Sequence, residues 1–365
     1  RTAAGSSAML SAPTRAAAGV CDDTLRLRPR KVPLSALMLG TAPLGCGWAG
    51  DVFEEEALCT VQRALDLGVQ SVDCAPWYGA GLAEERLGRA LRCEGGERMR
   101  IATKVGRLIV PRGELEPTHR VEVGYHYHTE GYHDNVPVWD YRREGTLTSY
   151  EQSKERLQVE SVHCLRVHDA EDPERWAESV APAGAVETLV ELRRKGAIRE
   201  VSLGCNSAEY LLRTVQHFPR GTFDNIMAAG RWNLLNTSAY ELLLECQKAG
   251  IRVHIAGPFC TGLLWGKDLF MYSDTVPPEK AEKAKQWADL ARSFGLSLEA
   301  VALAFAYLPE CVDHVAFGAV SAKEVEANVA LCDVEVPVKL WRLAQDQGLL
   351  PQSLVFIEDE ADEAS

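Results

Sequence analysis

Ser71-Val-Asp-Cys-Ala-Pro-Trp-Tyr-Gly79, followed by Ile101-Ala-Thr-Lys-Val105, decides how the chain reads. The first stretch begins as a short apolar strand and breaks at Pro76, so Asp73 and Tyr78 sit at and just past a strand end. Loops that leave a sheet are where a rigid scaffold presents chemistry. Lys104 ends the next strand-like run, and His168 ends the apolar run Val162-His-Cys-Leu-Arg-Val-His168. Asp, Tyr, Lys and His at strand termini form a proton-transfer set. A phenol titrates near pH ~10, and a neighbouring ammonium favours its ionised form. Lys104 is therefore expected to bring Tyr78 into working range as an acid or base, with Asp73 orienting Lys104 and His168 pointing the reacting oxygen.

Outward from this core, strands and helices alternate. Residues 25–33 alternate apolar and basic side chains as an edge hairpin does, and are expected to close the bottom of a barrel. Strands are expected at 37–41, 69–74, 99–104, 162–168, 200–204, 225–229, 252–256 and 314–317. Helices are expected at 53–67, 83–91, 147–157, 184–195, 208–218, 237–249, 279–294, 298–307, 322–331 and 337–345, with Asp51 as a cap and Gly68 as a stop for the first. Eight strand–helix units in succession imply a (β/α)8 TIM barrel with active groups at the C-terminal strand ends. Two long loops interrupt the alternation, 106–145 and 257–278, and loops of that length inside a domain are usually functional. The division is a disordered or transit-like leader at 1–24, one barrel at 25–350 and an acidic tail at 351–365.

Composition excludes several classes. The 365 residues are 46% hydrophobic and 25% charged, as for a soluble domain with a large core. A net charge of −13 argues against nucleic acid or an anionic membrane face as partner, and no apolar run approaches the ~18 residues of a membrane span. Eleven cysteines scattered singly read as reduced core residues. Cys74 and Cys205 adjoin site residues, so an oxidant is expected to inhibit. His126, His128 and His133 lie in the first long loop with Tyr125, Tyr132 and Trp139; roofing a polar substrate is the preferred reading there, and no metal is expected. The cytoplasm is the expected compartment. An organelle becomes the alternative if the basic, acid-free first 21 residues are a transit remnant.

At these residues the chain resembles the aldo-keto reductase superfamily, and within it the aldose 1-dehydrogenase branch. The matching text includes VDCAPWYGAGLAEERLGRAL from Val72, IATKVGRL from Ile101, Asp140-Tyr-Arg-Arg-Glu-Gly145, VHD at 167–169, LGCN at 203–206, GPFCTGLL at 257–264 and FGAVSAKEVEAN at 317–328. The resemblance maps a catalytic tetrad onto Asp73, Tyr78, Lys104 and His168, and implies a nicotinamide dinucleotide lying across the barrel mouth. Asn206 is implied as the carboxamide contact. Gly40 and Thr41 are expected at the cofactor. Gly257, Pro258, Phe259, Thr261, Gly262 and Leu263 are expected over the pyrophosphate. Gly318 to Ser321, opening a helix, is a ready anion site with Lys323 and Asn328 nearby. Glu324 stands where NADPH-preferring relatives carry an arginine. A carboxylate repels a 2′-phosphate, so NAD is expected over NADP. Ala256 replaces the tyrosine that many relatives stack on the nicotinamide, with Trp232 and Phe259 as candidates for that face. Trp77, Trp139 and Trp232 are the candidate sugar-binding rings, although each alone is more often core filler.

The implied reaction is oxidation of an aldose at C1 to its lactone. The alternatives are an NADPH-dependent aldehyde or ketone reductase, a pyridoxal-oxidising variant, and a non-catalytic barrel subunit of a larger assembly. The expected partner is a small sugar or carbonyl compound, and the expected state is a monomer or weak homo-oligomer.

Overall fold

The computed structural model describes residues 23–46, 50–93, 95–122 and 134–357. Eight parallel strands close a barrel in chain order: β1 (Leu37–Gly40), β2 (Ser71–Asp73), β3 (Arg100–Val105), β6 (Val162–His168), β7 (Ile198–Cys205), β8 (Asn225–Ala229), β9 (Arg252–Ala256) and β10 (Val312–Gly318), which pairs back onto β1. Register aligns the site residues. Gly40 pairs with Asp73, Asp73 with Ala102, Lys104 with Arg166 and His168 with Gly204.

The outer ring follows from amphipathic periodicity. In α1 (Glu54–Asp66), Ala57, Thr60, Val61, Ala64 and Leu65 form one buried stripe, three glutamates occupy the first turn, and Gly68 ends it at φ +86°. Asp51 is not its cap: Phe53 holds that position without a side-chain cap bond. The ring continues through α2 (Leu82–Ala90), α3 (Arg143–Leu157), α4 (Pro173–Val180), α5 (Ala185–Arg194), α6 (Ala208–His217), α7 (Tyr240–Ala249), α8 (Pro278–Ser293), α9 (Leu298–Ala306), α10 (Ala322–Ala330) and α11 (Val338–Asp346). Seven consecutive residues of α9, Ala300 to Ala306, are buried, so this helix sits inside the helical layer rather than on it.

Three expectations need correcting. The segment at 25–33 forms no hairpin; Leu27 bridges singly to Pro309 and Phe356, and buried Leu25 and Leu27 plug the N-terminal end. The first long loop contains an antiparallel pair, β4 (Arg107–Pro111) and β5 (Asn135–Trp139), joined by a connection that includes residues 123–133, which lie outside the described residues together with Tyr125, His126, His128, Tyr132 and His133. The C-terminal segment is packed up to residue 357: Leu354 is buried and Phe356 stacks on Trp341 with ring centroids 6.3 Å apart. Residues 1–22 and 358–365 lie outside the described residues.

The barrel interior departs from the apolar layers usual in this architecture. From the mouth downward it holds Asp73 and Lys104, then Arg166, Ser71, Ser202, Asn225, His254 and His314, all buried. Met38, Met227 and Ala316 form a separate small apolar cluster.

Candidate active site

Tyr78 is presented by a turn that only close backbone packing allows. A Cβ on Gly79 would lie 2.4 Å from the Gly45 carbonyl oxygen, and one on Gly45 would lie 2.5 Å from that of Tyr78. These two glycines let the 42–46 turn nest against the loop, which then runs into α2 as the Tyr78 carbonyl accepts from the Ala83 amide at 3.1 Å. From α2, fully buried Glu84 accepts from Thr103 Oγ1 at 2.6 Å and pairs with Arg156, which fixes β3 beside Lys104.

Lys104 has three N–H groups and uses all of them. They reach Asp73 Oδ2 at 2.5 Å, the Cys74 carbonyl at 2.8 Å and Tyr78 Oη at 3.0 Å. The second oxygen of Asp73 accepts from Arg166 Nε at 3.0 Å. His168 stands edge-on to Tyr78 with ring centroids 6.0 Å apart. The Asp140–Gly145 stretch locks the end of β6: Tyr141 Oη donates to the His168 carbonyl at 2.5 Å, and Arg107 Nη1 to the same oxygen at 3.3 Å. Gly106, at φ +104°, leaves room for the Tyr141 ring, which a Cβ there would strike at 2.1 Å.

Burial sets the protonation states. It pushes the Tyr78 phenol well above its ordinary value, and the Asp73 charge adds to the effect. This reverses the expected direction, because Lys104 is committed to a carboxylate 2.5 Å away and the ring is desolvated. Burial, then Arg107 and Lys104, drives the His168 imidazole well below its usual range, so it is neutral. Asp169, which lies 3.3 Å from His168 Nε2, is raised by burial to about 6 against the pull of Arg107. Burial also raises the Cys74 and Cys205 thiols, so neither is the reactive thiolate that oxidant sensitivity requires.

Tyr78, Lys104, Asp73, His168 and Asp169 line a cavity of about 520 Å³ at the barrel mouth. Its wall includes all four tetrad residues, Trp77, Gly40 and Asn206; Gly257, Pro258, Phe259, Thr261 and Gly262 from the second long loop; and Gly318, Glu324 and Asn328. Other expected residues lie elsewhere. Thr41 donates to the Asp73 carbonyl at 3.0 Å, holding the strand end rather than the cavity wall. Leu263 and exposed Lys323 are outside the lining. Ser321 caps α10 by accepting from the Glu324 amide, while Glu324 accepts from the Val320 amide, so the protein's own side chains take two of the amides expected to bind an anion. Trp139 is sandwiched near Arg120 and Arg175, at 3.8 and 5.0 Å. Trp232 is fully buried, stacked on Phe305 at 5.1 Å, and therefore neither touches substrate nor covers a nicotinamide.

Asp169, Trp265, Lys267 and Tyr272, none of them among the expected site residues, also line the cavity. Asp169 was in reach as the residue after His168; the other three sit on a loop whose path no local pattern reveals. Lys267 Nζ meets Glu324 Oε1 at 3.0 Å.

The Aldo/keto reductase family model matches residues 36–343. Pyridoxal 4-dehydrogenase from Microbacterium luteolum is 30% identical over 87% of this chain and 95% of its own length. D-threo-aldose 1-dehydrogenase from a Pseudomonas species is 29% identical over 87% and 97%. L-galactose dehydrogenase from Arabidopsis thaliana is 26% identical over 89% and 91%. In fold, the chain is similar to the glycerol dehydrogenase of Gluconobacter oxydans, with a TM-score of 0.64 at 23% identity over 93% of this chain and 99% of that one. No helix among the described residues is long and apolar enough to cross a membrane. The chain belongs to the aldo/keto reductase family and is an NAD(P)-dependent oxidoreductase.

Proposed function

We propose that this oxidoreductase oxidises an aldose at C1 to its lactone, with NAD as its nucleotide. The observation that carries the reading is the Tyr78 hydroxyl, held at 3.0 Å by Lys104 on the wall of a mouth cavity that also carries Trp77 and Asp169. Tyr78 takes the proton of the sugar hydroxyl in oxidation and returns one to a carbonyl in the reverse direction. Neutral His168 donates to the reacting oxygen and orients it. Trp77 offers a ring face to sugar C–H groups, and Asp169, ionised above about 6, accepts from a neighbouring hydroxyl.

The cavity residues fit a dinucleotide. Asn328 Oδ1 is a buried acceptor with no hydrogen-bond partner among the described residues, on the cavity wall, and suits a donor on a bound ligand. When bound, the nicotinamide supplies the hydride acceptor. Glu324 on the same wall disfavours a 2′-phosphate, which supports NAD. Two relatives bear the names of aldose or galactose dehydrogenases, which supports the sugar; the relative named for pyridoxal supports an aromatic hemiacetal as a variant of the same chemistry.

A second reading has its own support. The phenol is held protonated, as a general acid for carbonyl reduction needs, and Lys267 beside Glu324 offers a cation to a 2′-phosphate. The raised phenol makes a sign prediction: sugar oxidation speeds up as pH rises above neutral, while carbonyl reduction stays flat until pH approaches the raised phenol value. The test is nucleotide reduction by a panel of aldoses with NAD+ and NADP+ in parallel. Turnover of aldoses with NAD+ supports the proposal; silence with all sugars, alongside NADPH-driven reduction of simple aldehydes, replaces it with the reductase.

A further inference from the structure

Arg166 is fully buried in the barrel interior, in the layer below the tetrad. Its guanidinium meets four acceptors from four other strands. Nε reaches Asp73 Oδ1 at 3.0 Å, Nη1 reaches Ser202 Oγ at 2.5 Å and Asn225 Oδ1 at 2.6 Å, and Nη2 reaches His254 Nδ1 at 2.7 Å. A guanidinium only donates, so Nδ1 of His254 is the bare nitrogen and the neutral ring carries its proton on Nε2. That Nε2 faces Asp313 Oδ1 at 3.2 Å. Asp313 Oδ2 lies 3.3 Å from His314 Nδ1, and His314 Nε2 lies 3.2 Å from Ser71 Oγ, two residues before Asp73 on β2. The chain of polar contacts therefore leaves β2 at Asp73 and returns to it at Ser71.

The ligating atoms of His254, Asp313 and His314 lie within 4.8 Å of one another, as metal ligands do. The proton on His254 Nε2, dictated by Arg166, closes that nitrogen to a metal, and Asp313 and His314 stand behind the ring at ion-pair distance without hydrogen-bond geometry among the described residues. Gly204 lies alongside both cationic stems: a Cβ there would stand at ordinary van der Waals distance, 3.4 Å from Arg166 Cδ and 3.7 Å from Lys104 Cε.

We propose that Arg166 is a positioning residue of the reaction, taking one oxygen of Asp73 so that the other holds Lys104 against Tyr78, and offsetting the Asp73 charge so that the ammonium is not cancelled at the phenol. The inference rests on Tyr78 as the acid/base group. Asp73 alone neutralises Lys104; with Arg166 the trio carries net positive charge beside the ring, which favours phenolate. The other groups facing Tyr78 are His168 and Asp169 beside it, Cys46 from the first barrel loop and Tyr272 from the second long loop.

The test is the titration of Tyr78 followed by tyrosinate ultraviolet difference absorbance, each protein measured against its own Tyr78→Phe counterpart, together with the pH profile of kcat. Arg166→Met is expected to raise the Tyr78 transition by about one pH unit or more, Arg166→Lys to recover part of the shift, and dinucleotide binding to change less than about threefold. If Arg166→Met does not fold, His254→Leu, which removes the acceptor holding Nη2, is expected to shift the transition in the same direction by less. An unmoved Tyr78 transition in a folded Arg166→Met, or in His254→Leu where that variant stands in, overturns the proposal. The titration needs no substrate: wild-type protein that turns over neither sugar nor carbonyl refutes the proposed reaction, while the phenol shift still decides the role of Arg166.

Discussion

The two ends of the barrel bury ionisable groups under opposite rules. At the C-terminal mouth, burial is the leading influence and prevails: the Tyr78 phenol is raised, the His168 imidazole lowered and Asp169 raised to about 6 against Arg107 and Lys104. At the N-terminal floor, burial pushes carboxylates up too, but cations and imidazoles overcome it. Glu200 meets Arg252 at 2.7 Å and His163 at 3.3 Å and is held at about 2, and Asp313, between His254, His314 and Arg252, is held well below the usual carboxylate range. The floor resembles structural ion pairing; the mouth has the perturbed, neutral-leaning groups of a site poised for proton transfer.

Substitutions at the two ends separate these rules. Tyr78→Phe carries the largest expected effect, a loss of kcat of about a thousandfold or more with dinucleotide affinity within about threefold. Near wild-type turnover in that variant would remove Tyr78 from its role and with it the contrast. Asp169→Asn comes next. The native carboxyl titrates near about 6 and the unfolded one near ~3.9, so ionisation opposes folding, increasingly from pH ~4 to about 6 and fully above. The variant is expected to gain about 1–3 kcal/mol of stability at neutral pH, none below pH ~4, while its sugar KM rises about tenfold. Urea unfolding at both pH values tests this, and a loss of stability at neutral pH would mean that Asp169 is as well compensated as the floor carboxylates. Glu200→Gln has the smallest effect, with the opposite sign. A native value of about 2 against ~4.3 unfolded gives stability present above pH ~4.3 and lost as pH falls through about 2. The variant should lose about 1–2 kcal/mol at pH 7, after allowance for its partial exposure, and nothing near pH 2. An equal loss at both would point to packing rather than charge.

Much of the mouth is legible in the sequence because Asp73, Lys104 and His168 lie at the ends of bounded apolar runs and Tyr78 lies just past one. The strands at 162–168, 225–229 and 252–256 match the structure residue for residue, since turn-forming or charged residues lie within two positions of each end. Helix α3 begins earlier than expected, at Arg143, because it is largely polar around its circumference and periodicity does not mark its start. Helix α4 is additional to the expected helices, and Asp172, accepting from the Glu174 and Arg175 amides, with Pro173 at its first position, gives it readable start signals. The β4–β5 pair is long-range, with no short turn to announce it. The direction of the Tyr78 shift, the core position of Trp232 and the role of Arg166 are not local properties at all. Each depends on tertiary packing: burial and the Asp73 charge at Tyr78, the Phe305 ring of α9 against Trp232, and four other strands converging on Arg166.

The most direct measurement is the fate of the hydrogen on the sugar's C1. The aldose that turns over best would be supplied with deuterium at that carbon, and the reduced nucleotide analysed by mass. Deuterium recovered in NADH, with the sugar converted to its lactone, is the predicted result. Reduced nucleotide without label, or no aldose that transfers it at all, would contradict the account.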